Sequence, residues 1–297
     1  NEYCHIINMI LNRSLLILFL VFLFSCEGRI ESSEDKSDGY KMLLIGHSFF
    51  RPYASNLEKL ALDSGFTSHD ASLVFRGGEN GRPINFWKDS SSDEHKLIKS
   101  ILDSGGIEYF GMTAEHDQDN PVEGHSAWIK YALQKNPNIT IFISISPFDF
   151  PNGNQNGTRP NWDIFASDYG FNSIQEFYDF YVNEIIHKEI VDKLRLEFPS
   201  TKIFTIPTGW ATKNLAQMQL DDLLLDEIEL FGPKPTSIFT DSKGHQGQIV
   251  IETGTLIWLN SIYSEELSSN NYETGFNTNL HSIAEDIMNI HDSNYRR

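Results

Sequence analysis

Short apolar segments alternate with amphipathic segments along most of the chain between residues 40 and 263. Residues 42–45 (MLLI) form an apolar run that predicts a buried strand. Residues 53–62 follow with apolar positions three to four residues apart, which predicts a helix. Residues 139–145 (ITIFISI) are rich in β-branched residues and apolar on both faces, as expected of a central parallel strand.

The same alternation continues through the remainder of this region. It predicts further strands at residues 71–75, 107–113 and 202–206, and helices at residues 85–87, 94–102, 126–134, 174–198, 215–225, 249–263 and 283–290. A loop rich in Gly, Asn and Pro at residues 150–162 interrupts it, and such loops often form the rim of a site. Alternating strands and helices predict an α/β domain, a three-layer α/β/α sandwich around a mainly parallel sheet. We expect one domain over residues 40–297, with a core at 41–263 and a peripheral C-terminal segment at 264–297.

The N-terminal part of the chain has a different pattern. Arg13 precedes an unbroken apolar run at residues 15–24, which is short for a membrane span and typical of a signal peptide. The run ends in Leu-Phe-Ser before Cys26, which resembles a bacterial lipobox, in which the cysteine becomes lipidated. We therefore expect a lipoprotein signal peptide at residues 1–25 and a lipid anchor at Cys26. A plain signal peptide or a membrane anchor that contains Cys26 is the alternative.

Composition narrows the class of partner and the cellular location. Residues 26–39 are polar, charged and Ser-rich, which predicts a flexible tether between the lipid and the domain. The formal net charge of −18 argues against nucleic acid as a partner, because phosphate binding needs a basic surface. Cys4 and Cys26 both precede the predicted domain, so its stability must come from the core. We expect the protein in the bacterial cell envelope, anchored to a membrane.

Three residues form a candidate catalytic set. Ser48 follows the first strand, at the carboxyl end where α/β sheets bind ligands and near the positive end of the next helix. Asp241 and His245 share a short loop just before the helix at residues 249–263. In a Ser–His–Asp arrangement the imidazole takes the hydroxyl proton and the carboxylate orients the imidazole. Taken singly, these residues would be a helix cap, a turn residue and a helix-start residue.

These motifs resemble the SGNH (GDSL-like) hydrolase superfamily. Gly46-His47-Ser48-Phe49 matches the first block of that family, residues 241–245 match the last block, and Gly254 matches a glycine in its final helix. The resemblance covers roughly residues 41–263. It implies a flavodoxin-like sandwich that hydrolyses esters, often acyl or acetyl esters on carbohydrates, without a cofactor.

The resemblance also implies roles for individual residues. Ser48 would be the nucleophile, His245 the general base and Asp241 the residue that orients it. The backbone N–H of Ser48, together with Gly78 or Gly81, would form an oxyanion hole. The substrate would be a small-molecule or glycan ester.

Three features depart from the family pattern. The acid and the histidine are one residue further apart than in Asp-x-x-His, and His47 replaces the acid of GDSL. The Gly-x-Asn-Asp block is absent, and Glu115-His116-Asp117 stands at the matching strand end. His116 could donate through a ring N–H. Loss of one oxyanion donor costs about 10²–10³ in rate, so we expect impaired but not abolished chemistry.

Two other functions are compatible with the sequence. His116, Asp117, Asp119 and His125, with His245 as a further ligand, could hold zinc or another divalent ion in a metal-dependent hydrolase. We rank this hypothesis below the serine mechanism, because the segment is also explained as a solvated acidic turn.

The second alternative is a catalytically impaired, glycan-binding lipoprotein. Trp87, Trp162, Trp210 and Trp258 could supply aromatic surfaces for sugar rings. Trp258 has core spacing in its helix, which leaves Trp162, in the Asn-rich loop, as the best sugar-facing candidate. Asp149 follows a strand end and could line the cleft as a substrate-binding residue.

Overall fold

In a computed structural model of the protein, which describes residues 38–115, 120–147 and 162–297, a parallel five-stranded sheet lies at the centre. Its strands are β1 (Lys41–Gly46), β2 (Asp70–Phe75), β3 (Tyr109–Thr113), β4 (Thr140–Ser144) and β5 (Ile203–Ile206). Their order across the sheet is β2-β1-β3-β4-β5, and every neighbouring pair is parallel. This is the flavodoxin-like order, in which ligands bind beyond the carboxyl ends of β1 and β3. The predicted α/β class and parallel sheet are confirmed.

Helices surround the sheet on both faces and complete the three layers. They are α1 (Arg51–Asp63), α2 (Pro83–Lys88), α3 (Asp93–Ser104), α4 (Glu123–Ala132), α5 (Trp162–Asp168), α6 (Ile174–Phe180), α7 (Lys193–Glu197), α8 (Gly209–Leu220), α9 (Gln248–Tyr263) and α10 (Leu280–Ile290). A π-helical segment, Tyr181–Asp192, joins α6 to α7, so the helix predicted over residues 174–198 is continuous. Because both faces of the sheet are covered, strands such as β1 bury apolar side chains in both directions.

Helix α9, which follows the loop that carries Asp241 and His245, is held in place by packing on α1. A β-carbon on Gly254 would lie 2.2 Å from Cε1 of the Tyr53 ring, so the two helices approach closely at this glycine. Trp258, one turn later, is fully buried, and its ring lies 5.0 Å from that of Phe50 and 5.2 Å from that of Phe142. Trp258 is therefore a core residue, as its spacing predicted.

The segment after residue 263 attaches to the edge of the sheet. Helix α10 packs on α9 and buries four side chains, which are Leu280, Ala284, Ile287 and Met288. Beyond it, Nε2 of His291 lies 3.0 Å from Oγ1 of Thr205 in the edge strand β5. The guanidinium of Arg297 donates to the Tyr40 hydroxyl at 3.0 Å and to the Ile262 carbonyl. This segment, predicted as peripheral, therefore contributes to the core and contacts the start of β1.

Other differences from the predicted elements are local. The helix expected at residues 215–225 is α8, which begins earlier at Gly209 and ends at Leu220. A small parallel pair, β6 (Glu229–Phe231) and β7 (Ser237–Phe239), follows it and was not predicted. No helix among the described residues combines the length and apolar character needed to cross a bilayer. The predicted signal peptide, the tether up to residue 37, Cys26 and the loop at residues 150–161 lie outside the described residues.

Candidate active site

The turn after β1 places Ser48 at the carboxyl edge of the sheet. Gly46 ends the strand against Phe50, whose ring would lie 2.5 Å from a β-carbon at position 46. The His47 carbonyl accepts the N–H groups of Phe50 at 3.0 Å and Arg51 at 2.9 Å, and these bonds start helix α1. The reversal is therefore tight, and it leaves the Ser48 side chain half-buried at the mouth of a cleft.

The structure brings the three predicted catalytic residues together. Nε2 of His245 lies 2.8 Å from Oγ of Ser48, although 197 positions separate the two residues in the chain. Nδ1 of His245 lies 2.5 Å from Oδ2 of Asp241. Serine, histidine and aspartate thus form one continuous chain of hydrogen bonds, the geometry that a catalytic triad requires.

The loop that carries Asp241 and His245 accommodates its additional residue through a glycine. Gly244 has φ +87°, a left-handed conformation that favours glycine. The His245 carbonyl accepts the Thr240 N–H at 2.8 Å, and Oδ1 of Asp241 accepts the Lys243 N–H at 2.9 Å. These bonds close a turn that places the imidazole of His245 beside the carboxylate of Asp241. The longer spacing relative to Asp-x-x-His therefore does not separate the two side chains.

Charge and hydrogen bonding determine which nitrogen of His245 carries the proton. Burial raises the pKa of Asp241, but hydrogen bonds from the His245 ring, the His245 N–H and the Lys243 N–H outweigh it, so this pKa lies below the ordinary value. The ionised carboxylate can only accept, so Nδ1 of His245 must carry a proton and donate it. In the neutral imidazole Nε2 is then a free acceptor for the Ser48 hydroxyl, as a general base requires.

Phe49 supports the imidazole and was not identified from the sequence. Its ring stacks on that of His245 with centroids 5.0 Å apart and planes 12° from parallel. Phe49 is only 9% exposed, so its own position is fixed by packing. The only signal in the sequence was an aromatic residue directly after the candidate nucleophile.

The two glycines considered for the oxyanion hole differ in their surroundings. A β-carbon on Gly81 would lie 2.4 Å from the Arg76 carbonyl, 2.7 Å from the Gly46 carbonyl and 2.7 Å from Cα of His47. Gly81 is therefore packed against the backbone of the Ser48 turn. Gly78 is exposed at φ +57°, and a β-carbon there would meet no atom within 4 Å. The packing favours Gly81 as the partner of the Ser48 N–H.

His47, which replaces the acid of the GDSL motif, links the turn to strand β3. Its Nδ1 accepts the Phe49 N–H at 3.2 Å, so the ring proton is on Nε2, which donates to Oγ1 of Thr113 at 3.1 Å. Burial lowers the pKa of His47 to about 4, and the positive charge of Arg82 lowers it further. His47 therefore stays neutral at physiological pH and acts as a connection between β1 and β3.

Several other predicted site residues either lie elsewhere or are not described. His116, Asp117, Asp119 and Asp149 lie outside the described residues. The prediction that Trp162 faces a sugar is wrong, because Trp162 starts helix α5, packs into the core and is only 5% exposed.

The described members of the proposed metal site are engaged in separate networks. Nε2–H of His125 donates to the Thr113 carbonyl at 3.0 Å, and burial lowers the pKa of this histidine to about 4. His245 is bonded to Ser48 and Asp241. Among the described residues no three His, Cys, Asp or Glu side chains cluster as metal ligands would. The remaining three candidates, in residues 116–119, are not described.

A cavity of about 310 Å³ opens beside Ser48. It lies between the start of α1, the end of β2 and the start of α9, and its lining includes Arg51, Asn56, Phe75, Lys234 and Gln248. This volume is at the lower end of small-molecule sites, enough for an acyl group or one sugar ring. The nucleophile candidate is therefore adjacent to space for a small substrate.

Comparison with known proteins finds no matching family model, no similar curated protein and no similar solved structure. The function must therefore be inferred from the geometry of the site. A serine hydroxyl that bonds an imidazole and lies beside a cavity is an arrangement that suits transfer of an acyl group.

Proposed function

We propose that the protein is a serine-dependent ester hydrolase. The observation that carries the proposal is the hydrogen-bonded chain from Ser48 through His245 to Asp241, with distances of 2.8 Å and 2.5 Å. A structural turn would not need an imidazole nitrogen to accept from a serine 197 positions away. The resemblance to SGNH hydrolases supports the same function.

The mechanism follows from the positions of the protons. Oγ of Ser48 attacks the ester carbonyl carbon while its proton moves to Nε2 of His245, and the Asp241 carboxylate stabilises the imidazolium. The ester C–O bond then breaks, and His245 returns the proton to the departing alcohol. Water enters, gives a proton to His245 and attacks the acyl carbon. Ser48 leaves with that proton, and the carboxylic acid is released.

The oxyanion of each tetrahedral intermediate needs hydrogen-bond donors. The Ser48 N–H is available at the turn, and the Gly81 N–H is the best second candidate because Gly81 packs on that turn. We retain His116 as a third donor in this proposal. With an Asn donor missing, we expect turnover to be slower than that of an enzyme with the complete block, by about 10²–10³.

We further propose acyl or acetyl groups on a carbohydrate or similar small ester as the substrate, in the bacterial cell envelope. The cavity volume of about 310 Å³ supports a short acyl group. The apolar run and Cys26 in the sequence support a lipid-anchored location.

The test is hydrolysis of para-nitrophenyl acetate by the wild type, Ser48→Ala, His245→Ala and a control, Ser100→Ala. Ser100 is exposed on α3, away from the triad residues in the chain, so its substitution should have no effect. Loss of a triad member should lower kcat by about 10³ or more. A fluorophosphonate probe should label the wild type and not Ser48→Ala. Equal rates in all four proteins, with no labelling, would refute the serine mechanism and favour the binding or metal function.

A further inference from the structure

Two positive side chains line the cavity beside Ser48 without a carboxylate partner among the described residues. Arg51 starts helix α1, and Lys234 lies in the turn between β6 and β7. Both are exposed, and neither takes part in an ion pair with another described residue. The cavity beside the candidate nucleophile therefore carries two positive charges that form no ion pair with a described carboxylate.

The nearby Arg76, unlike Arg51, is held by two carboxylates. It follows Phe75, a residue of the cavity wall, and its guanidinium bonds Asp89 at 3.0 Å and Glu94 at 2.9 Å. Arg51 instead stacks on the Phe75 ring, with the guanidinium carbon 4.6 Å from the ring centroid. Stacking occupies one face of the guanidinium and leaves its N–H groups free to donate in the plane.

The rest of the cavity wall does not neutralise these charges. None of the described residues that line it is acidic. Gln248 donates to Glu252 at 2.6 Å, and Glu252 also accepts from the Tyr272 hydroxyl at 2.8 Å, so this carboxylate is already bonded. The cavity therefore presents amides, an aromatic ring and two cations to a molecule held beside the nucleophile.

We propose that the substrate ester carries a negative charge close to the scissile bond, and that Arg51 and Lys234 bind it. This inference rests on the proposed hydrolase function of Ser48. A carboxylate fits best, because arginine binds it through two parallel N–H groups and lysine adds a point charge. An acylated acidic sugar or the half-ester of a dicarboxylic acid has this chemistry. In a chain of net charge −18, local cations also offset the repulsion that an anionic substrate meets.

The experiment compares matched esters that differ in one charge. On the acyl side, para-nitrophenyl succinate is compared with para-nitrophenyl butanoate. On the alcohol side, para-acetoxybenzoate is compared with para-acetoxybenzamide. The readout is the ratio of kcat/KM for the anionic ester to that for the neutral ester. It is measured in the wild type, Arg51→Gln, Lys234→Gln, the double variant and a control, Lys59→Gln.

Lys59 lies on the same helix as Arg51 but does not line the cavity. Lys59→Gln removes one positive charge, as each single variant does, and therefore controls for the change in net charge. We expect a wild-type ratio well above one for the pair whose charge reaches the cations. It should fall about threefold for each single variant and about tenfold for the double variant. The ratio should fall with added salt in the wild type and stay high in Lys59→Gln at low salt. A ratio that no variant changes would overturn the inference, even if both esters are hydrolysed.

A binding measurement separates failure of this inference from failure of the hydrolase proposal. If the wild type hydrolyses none of the esters, calorimetric titration of the same four compounds into Ser48→Ala still tests the anion site. One outcome is that Ser48→Ala binds the anionic ester of a pair more tightly than the neutral ester, and loses this preference when Arg51 and Lys234 are also replaced. That result would support the anion site and refute the hydrolase proposal. Equal binding of both members would reject the site.

Discussion

Replacement of Gly81 by alanine should disturb the Ser48 turn directly. The added methyl carbon would lie 2.4 Å from the Arg76 carbonyl oxygen, 2.7 Å from the Gly46 carbonyl oxygen and 2.7 Å from Cα of His47. All three are backbone atoms, so no side-chain rotation can relieve the contact. Gly81 is not among the residues with positive φ, so alanine adds no backbone penalty of its own. The effect is therefore one of space alone.

The magnitude follows from the size of the overlap. Carbon and oxygen normally remain more than 3 Å apart, so the loop or the turn must move by several tenths of an ångström. Forcing one methyl into a packed site costs about 1–3 kcal/mol. Because the contact is with His47 and Gly46, part of the movement should reach Ser48. A displacement of that kind can cost up to about 10² in rate, and we expect a loss of about tenfold or more.

Gly78→Ala is the matched control three positions earlier. Its β-carbon would meet no atom within 4 Å, but its φ of +57° is strained for alanine by about 1 kcal/mol. Urea unfolding and initial rates of ester hydrolysis would be measured for both variants. Gly81→Ala should lose stability and activity, whereas Gly78→Ala should lose only stability. If Gly78→Ala impaired turnover more than Gly81→Ala, the assignment of Gly81 beside the nucleophile would be refuted.

Three further predictions concern the triad, the helix contact and the buried histidines. Asp241→Asn should lower kcat about 10³-fold with little change in Tm, because an amide no longer holds the proton on the correct nitrogen; a loss below tenfold would contradict the triad. Gly254→Ala should destabilise the fold by about 1–2 kcal/mol, since overlap with the Tyr53 ring outweighs the better helix propensity, and a raised Tm would contradict this contact. Burial lowers the pKa of His187 to about 3 and of His291 to about 4, so below pH ~6.5 the unfolded chain binds protons that the folded chain does not. Stability should therefore be full above pH ~6.5 and fall by about 1.4 kcal/mol per unit per histidine as far as pH ~4; equal urea midpoints at pH ~7.5 and ~5 would contradict this.

The inner strands of the sheet could be predicted because they are buried on both faces. Residues 42–45 and 139–145 consist largely of apolar residues, and burial on both sides is the one environment that favours such runs. The strand order came only with the resemblance to a family, since periodicity carries no information about neighbours. β6 and β7 were missed because three residues each are too few to show a period of two.

The candidate triad could be predicted from the sequence, but the aromatic ring that packs on its histidine could not. Ser48, Asp241 and His245 are recognisable by residue type and by their places beside strands and helices. The stacking of Phe49 on the imidazole depends on the path of the chain in space, and an aromatic residue in a sequence does not specify its partner. Trp162 failed for a related reason. An indole beside a polar loop looks exposed in sequence, but the helix that it starts turns it into the core.

The contact between Arg297 and Tyr40 has a practical consequence for protein engineering. Because the guanidinium bonds the Tyr40 hydroxyl at 3.0 Å, residues 40 and 297 lie side by side at the amino edge of β1. A short linker could join them, and the chain could be opened at the exposed turn around Leu223 and Leu225 instead. Such a circular permutant would keep every strand and the triad in their present order in space.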